Sequence, residues 1–424
     1  MSDPVLPVVY LSFYRSLQTI LKGRQVNDDF LNRKLDERRE QQAFRRLRLP
    51  DGATDLCSND YLGIAANGLI EAAWGAQLAS PGEGRAGLTA DGRPQGPGQS
   101  LSDRHGSAGS RLLAGNYPLI EETEQFIAAF HEAETGLIFN SGYDANLGLL
   151  SSVPQRGDIV YYDQLSHASI RDGIRLSFAR SFSFGHNDPG ELEARLREEV
   201  GKEKEKQEKR GAGNIFVVTE SVFSMDGDQA PLREIVALCR RYDAQLIVDE
   251  AHATGVIGTK GEGLVQALGL QKDCLARVHT FGKAVGCHGA IVLGSHRLRD
   301  FLINFSRAFI YTTALPEASV RAIRIAYTLF PGLDGERDHL RQLIDRFQQA
   351  SIGFEKLNSR TPIQVVIVPG NEAVRALAAK LQADRLDVRP ILYPTVPRGS
   401  ERLRIVLHSF NREEDVDLLI RCLQ

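Results

Sequence analysis

The sequence predicts an α/β fold: a large domain on a mostly parallel β-sheet, then a smaller α/β C-terminal domain. Two observations carry that expectation. Short apolar runs recur at 136–139, 158–162, 215–218, 246–248 and 290–293, with helical stretches such as 231–242 between them. Continuous apolar strands separated by helices indicate a sheet covered on both faces. Beyond residue 320 the chain becomes rich in Leu, Arg and Asp, with one strand-like run at 363–368, and reads as a second unit. The expected division is 1–55 for an N-terminal extension and helix, 56–320 for the large domain and 321–424 for the small one.

In chain order, residues 27–48 have helical composition, with Phe30, Leu31, Leu35 and Phe44 among many charges. Pro50-Asp-Gly ends that segment and Asp55-Leu-Cys starts an extended piece. Residues 80–104 are Gly, Pro, Ser, Arg and Asp with almost nothing apolar, which predicts a mobile loop or lid. A helix over 119–134 places Ile120, Ile127 and Phe130 near one face. The run 201–210 alternates Lys and Glu, the pattern of a solvated helix end or loop.

Composition excludes several function classes. At 424 residues and a net charge of -3, nothing marks a nucleic-acid surface. No run is long enough to span a bilayer, and the first residues lack a signal peptide's basic flank and cleavage site, so a cytoplasmic protein is expected. Cys57, Cys239, Cys274, Cys287 and Cys422 are odd in number and dispersed, which suits free thiols. Cys287 and His288 adjoin, but two neighbours without further ligands make no metal site, and none is expected.

Four polar clusters follow apolar runs, where ligands of α/β sheets bind. In Asn140-Ser-Gly-Tyr-Asp-Ala-Asn, Gly142 lets backbone approach an anion and the next helix offers free N–H groups, although the segment alone reads more readily as a plain turn. In Asp163-Gln-Leu-Ser-His-Ala-Ser, His167 is either a ring that stacks on an aromatic cofactor or an ordinary helix-start residue. In Val248-Asp-Glu-Ala-His, Asp249 ends a buried run and needs a cation or several donors; a protonated pyridine nitrogen meets that need. His252 could reach the phenolic oxygen of the same ring; a capping Asp with a surface His is the plainer alternative. In His279-Thr-Phe-Gly-Lys-Ala-Val-Gly, the small residues Gly282, Ala284 and Gly286 suit a lysine, Lys283, bonded to a planar ligand, and Thr280 can offer a hydroxyl to a phosphate. Each cluster alone is ambiguous. In this order they point to a pyridoxal 5'-phosphate site.

The chain resembles the α-oxoamine synthases, of the fold-type I pyridoxal-phosphate transferases, from about residue 28 to the C-terminus. The matching pieces are Cys57-Ser-Asn-Asp-Tyr-Leu-Gly, Gly106-Ser-Ala-Gly-Ser-Arg, Glu220-Ser-Val-Phe-Ser-Met-Asp-Gly-Asp, Val248-Asp-Glu-Ala-His, Thr280-Phe-Gly-Lys and Arg402-Leu-Arg-Ile. The resemblance implies that Lys283 is the Schiff-base lysine and the acid–base catalyst. It assigns Asp249 to the pyridine nitrogen, His252 and Ser224 to the phenolic oxygen, His167 to stacking, and Gly142, Tyr143 and Thr280 to the phosphate. Thr312, in Tyr311-Thr-Thr, would reach the phosphate from a neighbouring subunit, which implies a homodimer. Asn59 and Arg404 would receive the substrate carboxylate.

The implied reaction is a decarboxylative condensation of an amino acid with an acyl-CoA or acyl-carrier-protein thioester. Thr280-Phe-Gly-Lys and the stretch from Leu35 resemble the branch that uses L-alanine and a pimeloyl thioester in biotin biosynthesis. Arg45 would then contact the far carboxylate of the acyl chain; otherwise it is an exposed arginine on a helix. Sister activities that take glycine or serine are the alternative. The length of 80–104 departs from that branch.

Overall fold

The computed structural model describes residues 28–79, 105–206 and 213–424. The loop expected at 80–104, the extension 1–27 and the end of the charged run at 207–212 lie outside the described residues.

A seven-stranded sheet orders the middle of the chain. Its strands are β2 (Thr135–Phe139), β3 (Ile159–Asp163), β4 (Arg180–Phe184), β5 (Ile215–Glu220), β6 (Ala244–Asp249), β7 (Cys274–Thr280) and β8 (Ala290–Gly294), counting the short β1 (Thr54–Asp55) before them. The order across the sheet is β2-β8-β7-β6-β5-β3-β4. β7, β6, β5, β3 and β4 run parallel, and only β8 opposes its neighbours β2 and β7. The expected parallel sheet is therefore present, with two strands the apolar runs did not reveal. β4 reads Arg-Ser-Phe-Ser-Phe and is largely exposed at the sheet edge, so it has no buried run to display. β7 carries Arg277 and His279 inward, and those polar residues break its apolar pattern.

Both faces are covered, which is why the central strands are apolar throughout. Ile215 and Val217 of β5 pack with Leu192, Leu196, Ile235 and Val236 on one side. Phe216 and Val218 of the same strand pack with Leu149, Ile170 and Ile174 on the other. The helix Leu232–Tyr242 shows the cause: its buried residues fall at 232, 235, 236, 238 and 239, one face of a 3.6-residue repeat.

A second sheet of four antiparallel strands follows in the order β12-β13-β10-β9, from β9 (Glu355–Lys356), β10 (Ile363–Ile367), β12 (Arg389–Ile391) and β13 (Arg402–Val406). The N-terminal part of the chain is tied to this region. β1 pairs in parallel with β11 (Leu386–Asp387), Val406 N donates to Leu56 O at 2.8 Å, and Ser409 N donates to Tyr61 O at 2.9 Å. That stitching brings Asn59 and Tyr61 beside β13.

The first described helix is shorter than its composition suggests. It spans Asp29–Glu40, and Gln42 then takes a left-handed φ of 54°. Phe30, Leu31 and Leu35 are exposed, so no apolar face anchors the helix to a core. Arg45 consequently lies beyond the helix, in a segment without regular secondary structure, not on the helix expected over 27–48.

Candidate active site

β5, β6 and β7 run parallel, so their carboxyl ends, Glu220, Asp249 and Thr280, share one edge of the sheet. Helices begin there at Gly142 and Ala168, aiming their N-termini at the same space. The chemistry-bearing side chains meet at this edge because topology, not chain proximity, collects them.

Lys283 follows β7 by three residues, and its Nζ lies 2.7 Å from His252 Nε2. Burial lowers its pKa to about 8, against the pull of Asp249 and Glu220, which raise it, and with help from Arg404. A lysine so placed offers a substantial neutral fraction near neutrality, as a nucleophilic amine or a base requires. His252 is pushed well below the usual imidazole range, first by burial and then by the Lys283 charge. A neutral His252 that accepts from Lys283 at Nε2 carries its proton on Nδ1, which faces Tyr61 Oη at 2.6 Å. Tyr61 then donates to Asn59 Oδ1 at 3.2 Å, and Arg404 Nη2 donates to the same oxygen at 3.0 Å. Arg404 Nε donates to Ser224 O at 2.6 Å, so Ser224 enters the site through its carbonyl. One directed hydrogen-bond chain thus links the lysine to the Asn59–Arg404 pair.

Asp249 is buried and accepts from Asn146 Nδ2 at 2.7 Å and from Ala251 N at 2.9 Å. These two donors and the nearby amine account for much of the cost of a buried carboxylate and leave room for a further cationic partner. His167 caps its helix. Its ring Nδ1 accepts from Ser169 N at 3.2 Å and its backbone N–H donates to Glu220 Oε1 at 2.6 Å. Burial lowers its pKa, with Asp249 opposing, so the ring is held neutral.

At the other helix start, Ser141 caps Asp144 N, while the first-turn N–H groups of Gly142 and Tyr143 have no acceptor within their own helix. A Cβ at Gly142 would sit 3.3 Å from Thr280 Oγ1, so glycine keeps that cradle open. The Tyr143 hydroxyl turns away to Asp172, which leaves its backbone as the group facing the cradle. Thr312 Oγ1 accepts from Asn140 Nδ2 of its own chain at 3.0 Å.

A lysine, a buried carboxylate, a flat imidazole and a helix N-terminus beside a threonine are the donor set that pyridoxal phosphate needs, and these residues fit it. The structure adds Tyr61, Asn146 and Glu220, for which the chain offers no local signal beyond their place in longer motifs. It also reassigns Gly286, which does not clear space around the lysine. Its φ of 66° forms a turn packed against Ile64. Arg45 lies elsewhere, donating to Thr395 Oγ1 at 3.4 Å on the wall of a cleft of about 1090 Å³. Arg39, Arg46, Arg48, Arg375 and Arg389 share that wall, and among the described residues no carboxylate lines it.

Comparisons with known proteins identify the family of the chain. The family model for aminotransferase class I and II matches residues 51–423. An 8-amino-7-oxononanoate synthase of Emericella nidulans is 40% identical over 413 residues, covering 92% of this chain and 94% of its own. The solved serine palmitoyltransferase of Sphingomonas wittichii superposes with a TM-score of 0.76 at 26% identity, over 94% of this chain and 97% of its own. A solved structure of SPT with PLP gives 0.77 at 25% identity, over 94% and 98%.

Proposed function

Because the chain belongs to the aminotransferase class I and II family, among its α-oxoamine synthases, we propose that it condenses L-alanine with a pimeloyl thioester. The products are 8-amino-7-oxononanoate, carbon dioxide and the free thiol of the carrier, and the cofactor is pyridoxal 5'-phosphate. The observation that carries the reading is the buried Lys283, joined through His252, Tyr61 and Asn59 to Arg404. It sets a tunable amine and a carboxylate receptor in one network, as an amino-acid substrate requires.

When bound, the cofactor supplies an electron sink that lowers the cost of negative charge at the substrate Cα. The protein does the rest. Lys283 would hold the cofactor; Asp249 would face its ring nitrogen, His167 its ring, and His252 and the Ser224 segment its phenolic edge. Gly142, Tyr143 and Thr280 would hold the phosphate, with Thr312 from a second subunit. Arg404 and Asn59 grip the alanine carboxylate and so set which Cα bond is presented, a gain from orientation. Lys283 Nζ, neutral once released, takes the Cα proton and later returns one to the product carbon. Arg45 would take the far carboxylate, and the arginines of its cleft suit an acidic acyl tail.

A homodimer belongs to the same proposal. Leu113 and Tyr311 are exposed side chains on two segments that Ala314 N and Gly109 O join at 3.0 Å, and a second copy would cover them. Among the described residues no helix is long and apolar enough to cross a membrane, and a cytoplasmic location is part of the reading.

The test is to load the protein with pyridoxal phosphate and titrate L-alanine, glycine and L-serine by absorbance. Pimeloyl-CoA is then added and thiol release followed. Saturable binding of alanine with pimeloyl-dependent thiol release is expected. A preference for glycine or serine would move the protein to a sister activity, and failure to bind the cofactor would overturn the reading.

A further inference from the structure

The proposed chemistry uses Asp249 but leaves its neighbour Glu220 without a role. Glu220 and Asp249 are register partners at the ends of adjacent parallel strands, so their backbones run about 5 Å apart and both side chains leave the same face of the sheet. Both are nearly inaccessible, at 3% exposure for Glu220 and 6% for Asp249. Asp163, one strand further on, is equally buried, but it has His186 Nδ1 at 3.0 Å as a cationic partner. Asp249 has Asn146, Ala251 N and the nearby Lys283 amine. Glu220 has one partner among the described residues, the backbone N–H of His167 at 2.6 Å.

Two adjacent buried carboxyls that share one cation cannot both keep a charge. Asp249 has the donors and the cation, so the proton goes to Glu220. The groups facing Glu220 agree: burial, then Asp249 and more weakly Asp163 push its pKa up to about 8, while the His167 amide and Lys283 pull it down. A protonated carboxyl keeps its carbonyl oxygen free to accept. That oxygen holds the peptide of His167, the residue whose ring faces the cofactor.

We propose that Glu220 is a positioning residue that stays protonated, leaving Asp249 as the sole charge toward the cofactor ring and anchoring His167 through its backbone amide. The inference rests on the cofactor reading above and is tested separately from it. Glutamine reproduces the neutral acceptor; alanine removes it.

The experiment compares wild type, Glu220→Gln and Glu220→Ala for pyridoxal phosphate affinity and for the circular dichroism of the bound cofactor. Glu220→Ala should lose about tenfold in affinity, the scale of one buried hydrogen bond, along with much of the induced dichroism. Glu220→Gln should restore both to near wild type. The apoproteins give an independent readout. A carboxyl whose folded pKa is raised from 4.5 to about 8 destabilises the native state progressively as pH rises through that window. The thermal midpoint of Glu220→Gln should therefore gain on wild type between pH 5 and pH 8. Wild-type dichroism in Glu220→Ala would overturn the anchoring role. Equal damage in both variants, or a midpoint difference that ignores pH, would overturn the neutral acid. If Glu220→Ala does not fold, the Glu220→Gln affinity and pH series still decide. Wild type that binds no cofactor would instead refute the function proposed above.

Discussion

Replacing His186 by glutamine tests how the buried Asp163, one strand from Glu220, is held. The ring sits between two carboxylates, with Nδ1 3.0 Å from Asp163 Oδ1 and Nε2 2.7 Å from Asp228 Oδ2. Burial works against its charge, but the two aspartates outweigh that and raise its pKa from 6.5 to about 10. At 1.36 kcal/mol per unit such a rise corresponds to roughly 5 kcal/mol as an upper bound. Breaking a buried ion pair costs about 3–5 kcal/mol, and because the ring keeps 19% exposure the lower end applies. For 424 residues an unfolding entropy near 2.1 cal/mol/K per residue gives about 0.9 kcal/mol/K, so His186→Gln should lower the thermal midpoint by about 3 °C. The sign with pH is fixed. A histidine with a raised folded pKa stabilises fully below 6.5, and that contribution disappears as pH rises through about 10. The midpoints of wild type and variant, measured by scanning fluorimetry from pH 6 to pH 10, should therefore converge. A gap that stays constant with pH, or one below about 1 °C at pH 6, would refute the charged-clamp reasoning.

Three further outcomes follow from the site geometry. With its pKa lowered to about 8, Lys283 should take up pyridoxal phosphate in the apoprotein at a rate that climbs as pH passes 8; stopped-flow absorbance showing no change between pH 7 and pH 9 would contradict this. Tyr61→Phe breaks the chain between His252 and Asn59, and a lost buried hydrogen bond of ~1.5 kcal/mol predicts about a tenfold fall in kcat/KM for alanine with cofactor absorbance retained. Arg45→Ala should raise KM for the pimeloyl thioester about tenfold and narrow its preference over an uncharged chain of equal length; an unaltered preference would remove Arg45 from the acyl site.

Much of this site was legible because catalysis forces polar residues into places where a fold wants apolar ones. Asp249 directly after Leu246-Ile-Val, and Lys283 between small residues after β7, stand out against their surroundings. The core strands were legible for the same reason in reverse, since burial on both faces requires unbroken apolar runs. Tyr61 and Asn146 were not, because their partners His252 and Asp249 lie 191 and 103 positions away and the contacts exist only once the sheet closes. β4 escaped because an edge strand need not be apolar, and β7 because Arg277 and His279 are buried in it. The helix read over 27–48 stops at Glu40 because charged residues gave good propensity without a face to pack.

The hydrogen-bond chain from Lys283 to Arg404 also constrains how the site can act. Its members come from the turn after β7, the turn after β6, the segment stitched to Ser409, and β13. Arg404 stands on the C-terminal sheet, opposite Val365 in register, so any displacement of that sheet moves the proposed carboxylate receptor. Asn59 would move with it, because residues 54–61 are hydrogen-bonded to 385–409. Lys283 and Asp249, by contrast, belong to the seven-stranded sheet. Several contacts join the two groups, among them Arg402 on Asp226, Thr361 on Gly227 O and Arg404 on Ser224 O, and the one that reaches the lysine's partner is Tyr61 Oη on His252 Nδ1. A substrate carboxylate that draws Arg404 therefore pulls on the same chain that orients His252 against the lysine. Loss of Tyr61 should break the link between the amino-acid receptor and the orientation of His252, which is the origin of the about tenfold fall expected for Tyr61→Phe.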